Sequence, residues 1–318
     1  MSSQQPVFPI FIGSGRSGTT LVQAIFSAHP DLAITHESQF IPRLADRPYR
    51  KDGKFAADMF VRDLNRIPDY RRLDIDERAL LSDLHDRPPA DYADAVRRVF
   101  QQYAAARGKA RYGDKSPGYV LHMERLAFLF PEARFVHVIR DGRAVALSYV
   151  ETKFGPKDVP AGALYWQRRV TIGRSSGAKL GKDRYREMKY EELVSDPERV
   201  VRELSPFLEL DFEPAMLRYF EQGEQLRSET ADPMAHQSLA LPPTKGLRNW
   251  KEQMSPKDAA TFEVLAGKTL ASFGYETSGR RPTPGSLAHA ASAWLTWQAQ
   301  RARAKGKNLR RRTRPSQA

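Results

Sequence analysis

The chain contains no cysteine. That absence excludes disulfides, cysteine-ligated zinc and a cysteine nucleophile, and it suits a reducing compartment. Long apolar runs are missing too. Only five residues precede Pro6, and the apolar stretch that opens at Val7 is too short for a signal peptide or a membrane span. These absences lead us to expect a soluble cytoplasmic protein. Neither an H-E-x-x-H helix nor an EF-hand loop occurs, so no metal is expected. Acidic residues are also missing from the C-terminal stretch. Arg280 to Ala318 carries ten Lys or Arg and no Asp or Glu, which leaves 41 basic and 38 acidic residues elsewhere. The net charge of +13 therefore describes an appendage more than the body of the chain.

What is present is enough apolar material for a core. The chain has 318 residues, 41% of them hydrophobic, which fits one large domain or two small ones and excludes a disordered chain. Its most informative segment runs from Val7 to Pro30, VFPIFIGSGRSGTTLVQAIFSAHP. This reads as an apolar strand, a glycine-rich turn and an amphipathic helix. Turn amides and a helix N-terminus aimed at one spot make an anion site. The turn almost matches the nucleotide-binding pattern G-x-x-x-x-G-K-[ST]. Gly13 and Gly18 have the right spacing, but Thr19 stands where lysine should be and is followed by Thr20. The cation comes earlier, at Arg16. Nucleoside triphosphate chemistry of that class uses the missing lysine. A phosphate-like group held by amides, hydroxyls and one arginine remains. A plain strand-turn-helix is the competing reading.

Further along, Asp31–Ile34 reads as a second strand and His36–Leu44 (HESQFIPRL) as a loop or helix start. Pro48–Lys109 reads as a helical insertion, a lid or acceptor-binding region, broken at Pro68 and at Pro88 and Pro89. Arg111–Pro117 (RYGDKSP) is a short strand ending in a loop, and Tyr119–Phe130 is an amphipathic helix closed by Pro131. Arg134–Ile139 is a buried strand, Arg140–Gly142 a turn, and Arg143–Val150 the start of a helix. Ala161–Ala178 suits a helix, Tyr185–Lys189 a strand, and Pro197 a helix start. Strands alternating with helices predict an α/β fold with a parallel sheet flanked by helices. Past a linker at Pro282–Gly285, Leu287, Ala290, Trp294, Leu295 and Gln298 share a helical face beside Trp297, before the basic run KGKNLRRRTR. Such a helix fits an anionic membrane or polymer surface, or else packs its tryptophans on the body.

Taken together, GSGRSGTT, HESQFIPR, GDKSP and FVHVIRDGRAVALSY resemble the sulfotransferases that use PAPS (3′-phosphoadenosine 5′-phosphosulfate). The branch that looks closest holds the tyrosylprotein sulfotransferases and their bacterial relatives. The resemblance covers roughly Phe8 to Gly279, with Arg280–Ala318 left as a tail. It implies a three-layer sandwich like that of the P-loop NTPases. It also implies a cradle of Gly15, Arg16, Ser17, Gly18, Thr19 and Thr20, with Arg16 on the sulfate or bridging oxygen and Thr19 and Thr20 on the 5′-phosphate. By the same resemblance Glu37 is the base, with His36 as the neighbouring candidate, and Lys115 lies near the transferring sulfate. Arg140 and Ser148 then bind the 3′-phosphate, Tyr190 lies near the nucleotide, and TKGLRNWK supplies a closing loop with Lys245, Gly246 and Arg248. The family often has an arginine where Thr244 stands here.

Asp141 and Arg143 read as a helix start and a local pair, His137 as a core histidine, and Arg43 as a support for the loop or the acceptor. The expected reaction is transfer of the sulfuryl group from PAPS to a hydroxyl on carbohydrate, lipid, small metabolite or protein tyrosine. No metal and no specific nucleic acid is expected. The alternatives are a divergent P-loop kinase, which the missing lysine disfavours, and a non-catalytic protein that binds a nucleotide or, through Arg280–Ala318, an anionic surface at the inner membrane face.

Overall fold

The computed structural model describes residues 5–222, 239–242 and 249–312. β1 (Phe8–Gly13) leads through the glycine-rich turn to α1 (Thr19–Ser27), then β2 (Leu32–His36) and α2 (Ile41–Leu44). A short hairpin of β3 (Arg50–Lys51) and β4 (Lys54–Phe55) precedes α3 (Ala57–Leu64), α4 (Pro68–Arg71), α5 (Glu77–Asp86) and α6 (Tyr92–Ala105). Then come β5 (Arg111–Lys115), a 3-10 turn at Pro117–Leu121, α7 (Met123–Leu129) and β6 (Ala133–Ile139). α8 (Gly142–Val150) and α9 (Val159–Leu180) lead to β7 (Tyr185–Lys189), α10 (Tyr190–Ser195), α11 (Pro197–Phe207) and a 3-10 stretch at Pro214–Gln222. α12 (Trp250–Gln253), α13 (Pro256–Ser272) and α14 (Pro284–Arg312) follow. The chain divides into two compact units, residues 1–140 with 172–245, and residues 141–171 with 246–318.

The first unit holds a five-stranded sheet in the order β2-β5-β1-β6-β7. Every pairing in it is parallel. A parallel sheet needs both faces covered, and its alternating side chains feed two cores. Phe8, Ile10 and Ile12 of β1 join Phe100, Tyr112 and Phe135 on one face. Phe11 joins Val22, Phe26, Ile34, Val136 and Val138 on the other. The helices of the 48–109 insertion fill the first core through Phe60, Leu64, Tyr70, Val96 and Phe100. The expected α/β sheet flanked by helices is the fold that forms.

Two local expectations need correction. The insertion also contains the β3–β4 hairpin, which is too short to leave a periodic signal. Tyr119–Phe130 is two pieces rather than one helix, because His122, with φ −127°, interrupts the 3-10 turn from α7. The turn draws Tyr119 inward, where its hydroxyl accepts from the Ile41 amide at 3.2 Å. The helix expected from Pro197 forms as α11; α10 precedes it and ends at Asp196, whose side chain accepts from the Arg199 amide to start α11.

In the second unit, α8 starts at Asp141, whose carboxylate accepts from the Arg143 amide at 2.9 Å. The Arg143 guanidinium pairs with Asp141 at 2.7 Å and Glu263 at 2.8 Å and lies over the Trp250 ring at 3.6 Å. Trp166 is fully buried against Phe262 and Phe273. α14 turns Ser286 and Ala290 inward and half-buries Trp297, whereas Leu287, Trp294 and Leu295 are exposed. The expected shared face is thus split: Ala290 packs, while Leu287, Trp294 and Leu295 meet solvent. Among the described residues, no helix is long and apolar enough to cross a membrane.

Candidate active site

All five strands of the parallel sheet run the same way, so their C-terminal ends lie along one edge. In open α/β sheets that edge is where ligands bind. Each strand here delivers an expected site residue to it. β1 is followed by the glycine-rich turn, β2 by Glu37, β6 by Arg140 and β7 by Tyr190, while β5 ends on Lys115.

The turn after β1 requires its glycines for specific reasons. A Cβ on Gly13 would lie 2.6 Å from the Val138 carbonyl oxygen of the neighbouring strand. Gly18, at φ +91°, caps α1, and a Cβ there would collide with the Tyr190 ring. Arg16 has a left-handed backbone at φ +67°, a conformation that costs a non-glycine residue energy and gathers at ligand-binding turns. Gly15, Arg16 and Gly18 are half-buried, and Ser17, Thr19 and Thr20 are buried. The hydroxyls of Ser14 and Ser17 are buried without a hydrogen-bond partner. Buried hydroxyls are normally satisfied, so two orphans at a helix N-terminus suit an anionic ligand bearing acceptor oxygens.

Arg140 closes the other side of this cradle. Its guanidinium donates to the Arg16 carbonyl at 3.4 Å and lies 4.4 Å from the centre of the Tyr190 ring. Burial raises the Tyr190 pKa while Arg140 draws it down, so the phenol stays neutral. The structure therefore brings Arg16, Gly18, Arg140 and Tyr190 together.

Glu37 and Lys115 form the second cluster. Residues paired across a sheet share a face, and Phe11, His36 and Lys115 are such neighbours. The Lys115 ammonium is buried at 3% exposure and donates to Glu37 Oε1 at 3.3 Å, while the Glu37 side chain is 46% exposed. Gln39 donates to Glu37 Oε2 at 3.3 Å, and the Glu37 amide donates to the Lys115 carbonyl at 2.7 Å. Glu37 itself has φ +28°. His36 points inward, with both ring nitrogens buried and unpartnered. Burial, then Lys115 and Arg72, hold its pKa down to about 4. An imidazole so placed is neutral and shielded, and the exposed carboxylate is the group able to meet an acceptor.

Ser148 is buried on α8 of the second unit. Lys245, Gly246 and Arg248 lie outside the described residues. Arg43 lies 3.9 Å from Asp69. His137 is a core histidine whose Nδ1 meets the Tyr185 hydroxyl at 2.7 Å. A buried set behind Glu37 had no expectation attached to it. Thr35 donates to Asp114 at 2.6 Å, and Ser38 meets Tyr119 at 2.9 Å. Its only trace in the sequence is that Asp114 lies within the GDKSP segment and Tyr119 two residues beyond it, and no periodicity ties them to Thr35 and Ser38.

Comparison with known proteins gives the lineage of the chain. The family model described as "Sulfotransferase family" matches residues 9–214. The chain is 26% identical over 220 residues to the protein-tyrosine sulfotransferase of Drosophila melanogaster, a match spanning 67% of this chain and 40% of that one. It is 24% identical over 289 residues to protein-tyrosine sulfotransferase 1 of Danio rerio, spanning 87% and 74%. Among solved structures, the sulfotransferase domain from the curacin biosynthetic pathway superposes with a TM-score of 0.60 at 20% identity, over 86% of this chain and 99% of that domain. Such a likeness speaks for the shared fold, and the family model for the lineage. The chain belongs to the sulfotransferase family.

Proposed function

We propose that this sulfotransferase moves the sulfuryl group of PAPS to an acceptor hydroxyl with Glu37 as the general base. The acceptor oxygen attacks sulfur in line, the bond from sulfur to the 5′-phosphate oxygen breaks, and Glu37 takes the acceptor proton. The products are a sulfate ester and adenosine 3′,5′-bisphosphate. Arg16, the turn amides and the Ser17, Thr19 and Thr20 hydroxyls hold the 5′-phosphosulfate, and Lys115 steadies both Glu37 and the developing negative charge. Arg140, seated over Tyr190, is the 3′-phosphate cation, and Tyr190 covers the turn beside the nucleotide. Such transfer works by positioning and charge stabilisation.

The observation that carries this reading is the exposed Glu37 carboxylate held 3.3 Å from the buried Lys115 ammonium at the edge where all five strands end. Replacing Glu37 by Gln should lower turnover at least a hundredfold while the affinity for adenosine 3′,5′-bisphosphate stays within about threefold, since general acid–base catalysis contributes roughly 10²–10⁴. Unchanged turnover would remove Glu37 from the role. The Drosophila and Danio relatives are named protein-tyrosine sulfotransferases, which makes a tyrosine peptide the first acceptor to test.

A second reading concerns α14. Exposed Leu287, Trp294 and Leu295, followed by a basic run with no acidic residue, fit a helix lying on an anionic bilayer. The protein would then work at the cytoplasmic face of that membrane. Full-length protein should co-sediment with vesicles rich in phosphatidylserine and not with phosphatidylcholine vesicles. Changing Leu287, Trp294 and Leu295 to Ser should reduce binding about tenfold. Equal sedimentation of the two proteins would leave charge alone as the cause.

A further inference from the structure

The candidate base stands on a backbone that ordinary residues avoid. Glu37 has φ +28° and Gln39 has φ +55°. Two non-glycine residues in that region persist only where their surroundings over-determine them. The surroundings are a buried polar set from three other segments. Asp114 is fully buried and accepts from the Thr35 hydroxyl at 2.6 Å. Its other carboxyl oxygen makes no hydrogen bond of ordinary geometry, although Ser38 and Ser116 lie close enough to act on its charge. The Ser38 hydroxyl meets the Tyr119 hydroxyl at 2.9 Å, and Tyr119 also accepts from the Ile41 amide at 3.2 Å. Tyr92 of α6 donates to the Ile41 carbonyl at 2.8 Å. Glu37 thus lies between Thr35, tied to Asp114, and Ser38, tied to Tyr119. The side chains of these anchors are buried, and the carboxylate between them is exposed.

We propose that Tyr119 and Asp114 are positioning residues for Glu37, holding the 35–41 segment in its left-handed course so that the carboxylate faces the acceptor beside Lys115. This rests on the assignment of Glu37 as the base. Neither residue touches substrate. Each acts through a strained loop that would otherwise relax toward an extended strand and turn the Glu37 side chain elsewhere. A network of this kind counts only when complete, because a buried polar group left without its partner is costly.

The test is a double-mutant cycle between Tyr119→Phe and Glu37→Gln, read as single-turnover sulfuryl transfer and as affinity for adenosine 3′,5′-bisphosphate. Tyr119→Phe keeps the ring in place and removes both anchoring bonds. It should slow transfer at least about tenfold, given that a misplacement of about 1 Å can cost a hundredfold. Bisphosphate affinity should stay within about twofold. In the Glu37→Gln background the same change should slow the residual reaction less than twofold, because there is no base left to position. An equal loss in both backgrounds, or a matching loss of bisphosphate affinity, would reduce Tyr119 to general support of the fold and overturn the proposal. Full activity of Glu37→Gln would instead overturn the base itself. Wild-type transfer by Tyr119→Phe, with Glu37→Gln inactive, would overturn the positioning role alone. Should Tyr119→Phe fail to fold, Ser38→Ala removes the same bond from the loop side and carries the same expectations. Asp114→Asn keeps an acceptor for Thr35 and should retain more activity than Asp114→Ala, and the reverse order would count against its part.

Discussion

Gly18 and Tyr190 set each other's place. The glycine sits at φ +91° with the phenol ring where a side chain would be, and Arg140 lies on that ring. Replacing Gly18 by Ala therefore strains the turn and displaces the ring together. We expect bisphosphate affinity to fall at least about tenfold and stability by about 1–3 kcal/mol, checked by calorimetry and urea unfolding. Two histidines set a pH dependence. His36 and His137 both have pKa values lowered to about 4, chiefly by burial. His36 faces Lys115, Arg72, Arg107 and Glu37, and His137 faces Tyr185, Glu187 and Arg174. Their folded pKa values lie below the unfolded value, so the unfolded chain takes up protons first as pH falls. Stability is full above about pH 6.5 and is lost on the way to pH 4, on the order of 3 kcal/mol for each ring. Asp114 has a raised pKa from burial, and its contribution has the opposite sign, present at low pH and lost as pH rises through its folded pKa. Ring-proton NMR should show both imidazoles flat between about pH 5.5 and 7.5, and a midpoint near 6.5 for either one would refute the assignment.

Elements built from local chemistry were the ones legible in the sequence. β1, its turn and α1 follow from an apolar run, glycines and an amphipathic repeat, and β7 was found residue for residue. Asp141 and Arg143 read correctly as a helix start with a local pair. What could not be read is how far that pair extends. Arg143 is 2% exposed and also bonds Glu263, more than a hundred residues away, with Trp250 stacked on it. Removing a buried charge strands its partners. Changing Arg143 to Met should therefore cost about 3–5 kcal/mol of unfolding free energy, seen as a lower urea midpoint. The split face of α14 escaped for a similar reason. Apolar periodicity says that a helix has a side to bury, but Trp294 and Trp297 are both apolar, and only the packing partner decides which one turns in.

At the scale of the molecule, the sheet order brings residues 37, 115, 140 and 190 to one edge with the turn at 13–20. The sequence gives these segments in order but not their adjacency. The resemblance of four motifs supplied the candidates, and the strand pairing supplied the geometry. The buried Thr35–Asp114 and Ser38–Tyr119 contacts stayed hidden because each spans about eighty residues. A ligand that binds only the folded chain raises its stability by mass action, about 2.7 kcal/mol at a hundred times its dissociation constant. Adenosine 3′,5′-bisphosphate should raise the melting temperature, with AMP and ATP giving much less. An equal response to ATP with magnesium would point back to kinase chemistry.

Because no strand of the five-stranded sheet pairs through a hairpin, the active edge has no early version during synthesis. The turn at 13–20 leaves the ribosome first, but its neighbour β6 follows more than a hundred residues later and Tyr190 later still. A nascent chain stalled before residue 190 would carry the phosphate loop without its cover. Ribosome-bound intermediates of this enzyme should therefore be silent toward the nucleotide until β7 has emerged and docked.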